Sequence, residues 1–206
     1  MSPTIKTVEQ FLAAYQGGQH EFLQLSLPGA KLAEQYLPFV TLEDVDFEQA
    51  NLRSAVLTGA SLIRANLEQA NLQRTNLIGA DLIRANLLKA HLVNVLLASA
   101  NLSGAYLSGA DLRGASLAGA NLNGANLRGA DLRESNLTGA TLFGTNLTNA
   151  NLRDVSLEEA KLSYTIMPNG YCLVGENDVD ADPNHSQVSL TNIAAYSRLS
   201  QKFKKF

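Results

Sequence analysis

The most constraining feature of this chain is a leucine at every fifth position from Leu27 to Leu162, with Phe47 as the single replacement. From Ala50 onward, the residue two positions before each leucine is small, usually Ala. The residue directly before it is usually Asn or Asp. The second residue after it is often Gly, as at Gly104 and Gly109. A period of five matches neither the 3.6-residue turn of a helix nor the two-residue alternation of a strand.

The period of five fits a chain that turns a corner every five residues, so that four corners close a coil of twenty residues. The alternating Ala and Leu of each unit would point inward, and the other three positions would face water. Stacked coils would pair through their backbones at the sheet spacing of roughly 4.8 Å. The pattern therefore predicts about seven coils and a rod roughly 30 Å long.

The five-residue units resemble the A(D/N)LXX repeat of the pentapeptide repeat family, as in ANLEQ, ANLQR, ADLIR, ANLSG, ADLRG and ANLRG. The resemblance covers about two thirds of the chain. It implies an all-β fold, the right-handed quadrilateral β-helix, with short helical caps. The opening segment VEQFLAAYQGGQHEFLQLSLPGAKL and the segment TIMPNG are similar to those of cyanobacterial members.

Both ends of a stacked rod would expose unpaired backbone, so caps are expected. We predict an N-terminal helical cap in residues 1–20, with a helix at 7–16 that begins at the capping box Thr7-x-x-Gln10. The β-helix is predicted at 21–166, and a C-terminal loop and helix at 167–206. Residues 168–188 are expected to form a loop, and 190–203 an amphipathic helix. That helix could cap the rod, form a homodimer through segment 190–206, or lie on a membrane surface.

Composition and motifs provide little support for catalysis. The net charge is −3, which offers neither a basic field for nucleic acid nor the strongly acidic field of a DNA mimic. Cys172 is the only cysteine, so no internal disulfide is expected. The series Asp178, Asp180, Asp182 lacks the Gly and the bidentate Glu of a calcium loop. We expect no enzyme activity, no metal, no cofactor, no nucleic acid partner and no membrane partner.

Signals for export are also missing from the sequence. The N-terminal stretch has no apolar run of signal-peptide length, and no segment approaches the roughly 20 apolar residues of a membrane-spanning helix. A cytoplasmic location is the expectation.

Specificity must lie on the outward positions, because the inward positions repeat. One candidate partner-binding surface is a group of outward apolar residues in the middle coils: Ile63, Ile78, Ile83, Leu88, Val93 and Leu96. Exposed apolar patches often mark partner sites. These residues wrap around several faces, however, and β-formers on a sheet surface are an alternative interpretation.

A second candidate face carries arginines that recur at intervals of twenty residues, Arg113, Arg133 and Arg153. Like charges stacked at sheet spacing repel each other unless they are compensated. Asp111, Asp131, Glu134 and Asp154 lie near enough in sequence to compensate them. The arginines form either a self-neutralised ladder or a ligand-binding stripe.

The expected function is a non-catalytic scaffold that binds another protein through its outer faces. Cyanobacterial family members of this size include regulators that act by binding proteins. The alternative is a DNA-mimicking inhibitor or protector of a type II topoisomerase. Family members of that kind tend to have Phe at the central position and a strongly acidic rod. Here the centre is Leu, and residues 41–165 contain 12 acidic and 10 basic side chains, a net of −2.

Overall fold

A computed structural model describes residues 5–174 and 187–189. The main body is a solenoid in which parallel bridges join each fifth residue to the residue twenty positions later, from Glu21 with Thr41 to Asn146 with Ile166. Each bridge is short because the chain turns before pairing can extend. The chain therefore forms a β-helix with four faces per coil, built from isolated bridges rather than from long strands.

Hydrogen bonds between successive coils hold the solenoid together. The amide of Leu52 donates to the carbonyl of Asn71 in the next coil (2.8 Å). The amide of Asn71 in turn donates to the carbonyl of Ala50 in the previous coil (2.9 Å). The same pattern repeats along the rod, so each coil is bonded to the coil above and to the coil below.

Each corner is a β-turn. The amide of Ala60, for example, donates to the carbonyl of Leu57 (3.1 Å), and the residue between them at Gly59 has a φ of +64°. A positive φ at only the second central residue defines a type II turn and favours Gly there. This accounts for the frequent Gly at the second position after Leu. Other residues also occupy corners in this conformation, as Arg64 does at +55°.

The Asn or Asp before each Leu has a structural role in the corner. The backbone ladder and the turn leave out the amide of the residue that follows Leu. The side-chain oxygen of Asn71 accepts a hydrogen bond from the amide of Gln73 (3.1 Å), and Asn136 does the same for Thr138 (2.9 Å). The repeat therefore prefers a short side chain with an oxygen at this position.

The core is a narrow column of Leu and Ala side chains, nearly all of them completely buried between residues 30 and 147. A few hydroxyl groups replace Ala inside it. Thr75 donates to the carbonyl of Leu52 (2.8 Å) and Thr145 to that of Leu122 (2.7 Å). Ser135 is equally buried, but its hydroxyl has no hydrogen-bond partner.

The N-terminal end of the rod is covered by helix α1, Val8–Gln16. Thr7 is its N-cap, and the Thr7 hydroxyl accepts a hydrogen bond from the amide of Gln10 (3.3 Å). Phe11 is completely buried, with its ring 4.6 Å from that of Phe22 and 6.4 Å from that of Phe47. The larger ring of Phe47 in a leucine position therefore serves the contact between helix and coil.

The C-terminal end differs from the sequence prediction. After Ile166 the chain reverses, and Cys172 pairs with Ile166 in antiparallel orientation. Strand β1, Cys172–Val174, then pairs in parallel with strand β2, Gln187–Ser189. The prediction of a loop throughout 168–188 is therefore wrong at these two strands. The β-forming residues around the buried Leu173 continue the pairing of the last coil. Segment 175–186 with its acidic series, and segment 190–206 with the predicted helix, lie outside the described residues.

The buried hydroxyl of Ser135 leads to a stability prediction. Replacing Ser135 with Ala removes a buried polar group that lacks a partner, so we expect unfolding free energy to rise by about 1 kcal/mol. Thr75→Val, which removes a satisfied hydroxyl at an equivalent depth, should lower it by about 1 kcal/mol. Thermal and urea unfolding followed by circular dichroism would measure both. A lower stability for Ser135→Ala would contradict this account of the core.

Candidate interaction surfaces

The four outer faces can be named by their residues. Each face repeats at intervals of twenty: face 1 includes 41–44 and 61–64, face 2 includes 46–49 and 66–69, face 3 includes 51–54 and 71–74, and face 4 includes 56–59 and 76–79. Within each group the first residue forms the bridge and the last two form the corner. Side chains at equivalent positions in neighbouring coils therefore stack into columns.

The structure distributes the six apolar candidates over all four faces. Ile63 and Ile83 stack on face 1, Leu88 lies on face 2, Val93 on face 3, and Ile78 and Leu96 on face 4. Ile78 and Leu96 are 39% and 40% exposed, whereas the other four are half-buried. The six residues do not form one flat patch. Instead they encircle the middle of the rod.

Two pairs among the candidates are neighbours. Ile63 and Ile83 occupy the same column in adjacent coils. Ile78 and Leu96 are eighteen residues apart, the same diagonal relation that brings the hydroxyls of Thr138 and Ser156 within 3.0 Å. Leu88 has this relation to Tyr106 on face 2, and Tyr106 is 54% exposed. Faces 1 and 2 therefore present an apolar group of four residues. Ile63 and Ile83 lie at the corner between these faces, Tyr106 lies on face 2, and Leu88 lies at the corner between faces 2 and 3.

Sequence reasoning missed several exposed aromatic side chains. Tyr36 and Phe39 are 71% and 72% exposed on face 4, and Phe143 is 54% exposed on face 1, where its ring lies 5.1 Å from that of Tyr164. These residues lie outside the middle coils that the prediction considered. Reading every column at intervals of twenty over the whole rod would have found them.

The arginines of face 3 are compensated by their own neighbours. Arg113 binds both carboxylate oxygens of Asp111 (2.8 and 2.7 Å), and Arg133 binds Asp131 in the same way (2.9 and 2.7 Å). Arg153 instead contacts Asp154 (3.1 Å). The structure therefore shows a self-neutralised ladder at these positions.

The ion pairs shift the titration of their carboxylates. The hydrogen bonds from Arg113 hold the pKa of Asp111 below its ordinary value, and those from Arg133 do the same for the pKa of Asp131. Arg64 lowers the pKa of Asp44 on face 1 through a similar contact. Burial raises the pKa of the Cys172 thiol, which favours the neutral and less nucleophilic form.

Charge is distributed unevenly among the faces. Charged side chains occur on faces 1, 2 and 3 along most of the rod, as at Asp44, Glu68 and Arg113. On face 4, charge is confined to Glu158 and Glu159 of the last row; none of the residues 36–39, 56–59, 76–79, 96–99, 116–119 and 136–139 is charged. Within the described residues, no group of three His, Cys, Asp or Glu side chains is arranged so that it could hold a metal ion. No helix in the same part of the chain has the length and apolarity needed to cross a membrane.

The repeated five-residue units that form these corners match a known family model. The model of the pentapeptide repeats matches in eight copies between residues 36 and 169, more than half of the chain. The chain belongs to the pentapeptide repeat family. Membership in this family implies the right-handed hand of the β-helix.

Several solved pentapeptide repeat proteins resemble this one. HetL from Nostoc sp. PCC 7120, involved in heterocyst differentiation regulation, is 29% identical; the match covers 82% of this chain and all of HetL, with a TM-score of 0.27. Rfr23 from Cyanothece 51142 is 26% identical over 77% of this chain and 96% of its own, with a TM-score of 0.29. QnrB1, a plasmid-mediated fluoroquinolone resistance protein, is 14% identical over 87% and 96%, with a TM-score of 0.44. Curated proteins give no significant match.

The ion pairs of this pentapeptide repeat protein predict a dependence of stability on pH. Because folding lowers the pKa of Asp111 and Asp131, their contribution is present above the ordinary carboxyl range and is lost as pH falls through the folded-state pKa. Arg113→Gln with Arg133→Gln should therefore reduce the loss of melting temperature between about pH 6 and about pH 2.5.

The matched control for this experiment is Arg128→Gln on face 2. Arg128 has no ion pair with any described residue. Its replacement should leave the acid sensitivity of the wild type unchanged. Equal acid sensitivity in the double variant and the wild type would show that the face 3 ion pairs contribute nothing to folding.

Proposed function

We propose that this chain is a non-catalytic protein-binding module that acts through the outer faces of the β-helix. The observation that carries the proposal is the apolar group on faces 1 and 2, formed by Ile63, Ile83, Leu88 and Tyr106. Apolar side chains that line a rigid surface and are rimmed by polar groups suit a partner protein. A cytoplasmic location is part of the same proposal.

The surroundings of this apolar group support a specific interface. Arg64 lies at the corner between faces 1 and 2, beside Ile63, and is held by Asp44 through two hydrogen bonds (2.7 and 2.6 Å), with Glu43 4.0 Å away. The arginine is thus oriented beside Ile63 rather than free in solvent. An apolar centre with an oriented charged rim resembles the general anatomy of protein interfaces.

The charge arrangement argues against a decoy for DNA. A DNA mimic needs rows of carboxylates that remain available to a partner. Here Asp44, Asp111 and Asp131 each bind an arginine of the same rod, so these three carboxylates are neutralised internally. Protection of a topoisomerase is therefore the weaker of the two proposals.

Capture of partners from a lysate of the source organism would test the proposed binding site. The bait proteins are the wild type and the double variant Ile83→Arg with Leu88→Arg, which places charge in the apolar group on faces 1 and 2. We expect a partner bound by the wild type to be reduced at least tenfold with the variant, which corresponds to about 1.4 kcal/mol. Circular dichroism would verify that both proteins are folded.

The chain offers a matched control for this variant. Ser103 and Ser108 occupy the same two columns one coil later, where the surface is already polar. Ser103→Arg with Ser108→Arg adds the same charge to the same faces and should keep the partner. If all three proteins recover the same set of partners, the apolar group is only sheet surface and the proposed site is wrong.

A further inference from the structure

Six rows of face 4 form an uncharged strip along the rod: 36–39, 56–59, 76–79, 96–99, 116–119 and 136–139. The last row of the face, 156–159, carries Glu158 and Glu159 and lies beyond the strip. Large exposed side chains lie toward its N-terminal end and centre, namely Tyr36, Phe39, Ile78 and Leu96. The rows nearer its C-terminal end carry small residues, among them Ala118 and Gly139. The strip therefore has large side chains from its N-terminal end to its centre and small side chains at its C-terminal end.

Several of these large residues occupy positions that disfavour them. At the bridge position, a short polar side chain would bind the amide two residues later, as Asn76 does for Ile78 (3.1 Å). Tyr36, Val56 and Leu96 occupy this position on face 4 and cannot accept that bond. Phe39 is a bulky residue at a corner φ of +58°, a backbone conformation that L-residues avoid. The Phe39 ring lies over Gly59 of the next coil, but the hydrogen bonds of the corner do not explain Tyr36, Val56 and Leu96.

The opposing gradients of size point to self-association. We propose that face 4 is the interface between two copies of this chain, packed antiparallel about a two-fold axis that lies in the interface and runs perpendicular to the rod. Such an axis keeps each column opposite the same column and reverses the order of the rows. Row 36–39 of one copy then meets row 136–139 of the other.

In this arrangement, large side chains face small ones. Phe39 lies opposite Gly139 of the second copy, and Ile78 lies opposite Ala98. In the bridge column, Leu96 lies opposite Asn76, Val56 opposite Ser116, and Tyr36 opposite Asn136. A parallel pair would instead place row 36–39 against the same row of the second copy and leave a gap between the small side chains at the C-terminal end of the strip. Close packing therefore selects the antiparallel pair.

Charge favours a second copy as the occupant. A symmetric interface brings two identical surfaces together, so charged groups near the axis would repel unless each met an opposite charge. The six rows of the strip have no charged side chain. In the proposed register, Glu158 and Glu159 of the last row lie beyond row 36–39 of the second copy. Faces 1 to 3 would have to bury Arg64, Lys89 or Arg113 in the same operation.

The area of the strip sets the strength of the pair. Six rows at about 4.8 Å give a length of about 29 Å, and three extended residues give a width of about 10 Å. This area is well below the roughly 800 Å² per partner of a standard interface. The expected dimer is therefore weak and dependent on concentration, with a dissociation constant in the micromolar range or above.

Sedimentation velocity of the purified full chain from about 5 µM to about 500 µM tests the pair by mass action. The wild type should shift from monomer to dimer across this range. Leu96→Asn should weaken the dimer at least tenfold without lowering the melting temperature, since Asn can bind the amide of Ala98. Tyr106→Asn, the equivalent change on face 2, should leave the dimer unchanged.

A mixing experiment tests the antiparallel register. Ile78→Asp and Ala98→Arg should each abolish self-association, because like charges accumulate near the axis. An equimolar mixture should dimerise again, because the substituted positions face each other with opposite charge while Ile78 of one copy still meets Ala98 of the other. In a parallel pair the substituted rows would not face each other.

Three results would overturn the proposal. The first is a wild type that stays monomeric over the whole range. The second is a dimer that survives Leu96→Asn and Ala98→Arg, or is lost only when residues 190–206 are deleted, which would place the contact in that segment. The third is a mixture that fails to recover. All of these measurements use purified protein, and Tyr106→Asn serves only as a control for self-association. None of the three results therefore bears on the proposed binding of a partner protein.

Discussion

The fold depends on one constraint, that every backbone bridge must find its partner twenty residues away. To meet it, the chain must turn after each five residues, and it does so through a corner residue with positive φ. Gly adopts this conformation without strain, whereas residues such as Arg84 and Lys89 do so at a cost of roughly 1 kcal/mol each. The energy for these corners comes from the continuous ladder and from the buried Leu column.

The same constraint explains the consensus of the repeat. Leu and Ala fill a column too narrow for larger side chains, and the corner requires Gly or a tolerant residue. The Asn or Asp position follows from the one amide that the ladder omits, which only a short side chain with an oxygen can reach. Only the remaining outward positions are left to distinguish one coil from another. Tyr36 and Leu96 depart from this rule on face 4, within its uncharged strip.

The architecture could be predicted from sequence because the period alone fixes which residues are buried and which corners turn. The sequence left two interpretations of the arginine column, a self-neutralised ladder and a ligand-binding stripe. The pairing of Arg113 with Asp111 depends on side-chain geometry, which the sequence does not specify. The distribution of the apolar candidates over four faces was also expected. Strand β1 was not predicted, because its pairing depends on the reversal after Ile166, which breaks the period. The exposed ring of Phe39 was not predicted, because the candidate surface was sought only in the middle coils.

Five residues are both one side of the coil and one unit of the repeat, and this equality has a consequence for how such a surface can change. Inserting or deleting a single unit leaves Leu on Leu and Ala on Ala, so the core is conserved. Every outward residue beyond that point, however, moves to the next face. A unit lost between Leu96 and Ser116 would rotate half of the uncharged strip by a quarter turn, whereas a change of four units would only alter its length. Recognition in this fold is therefore far more sensitive to the number of units than stability is.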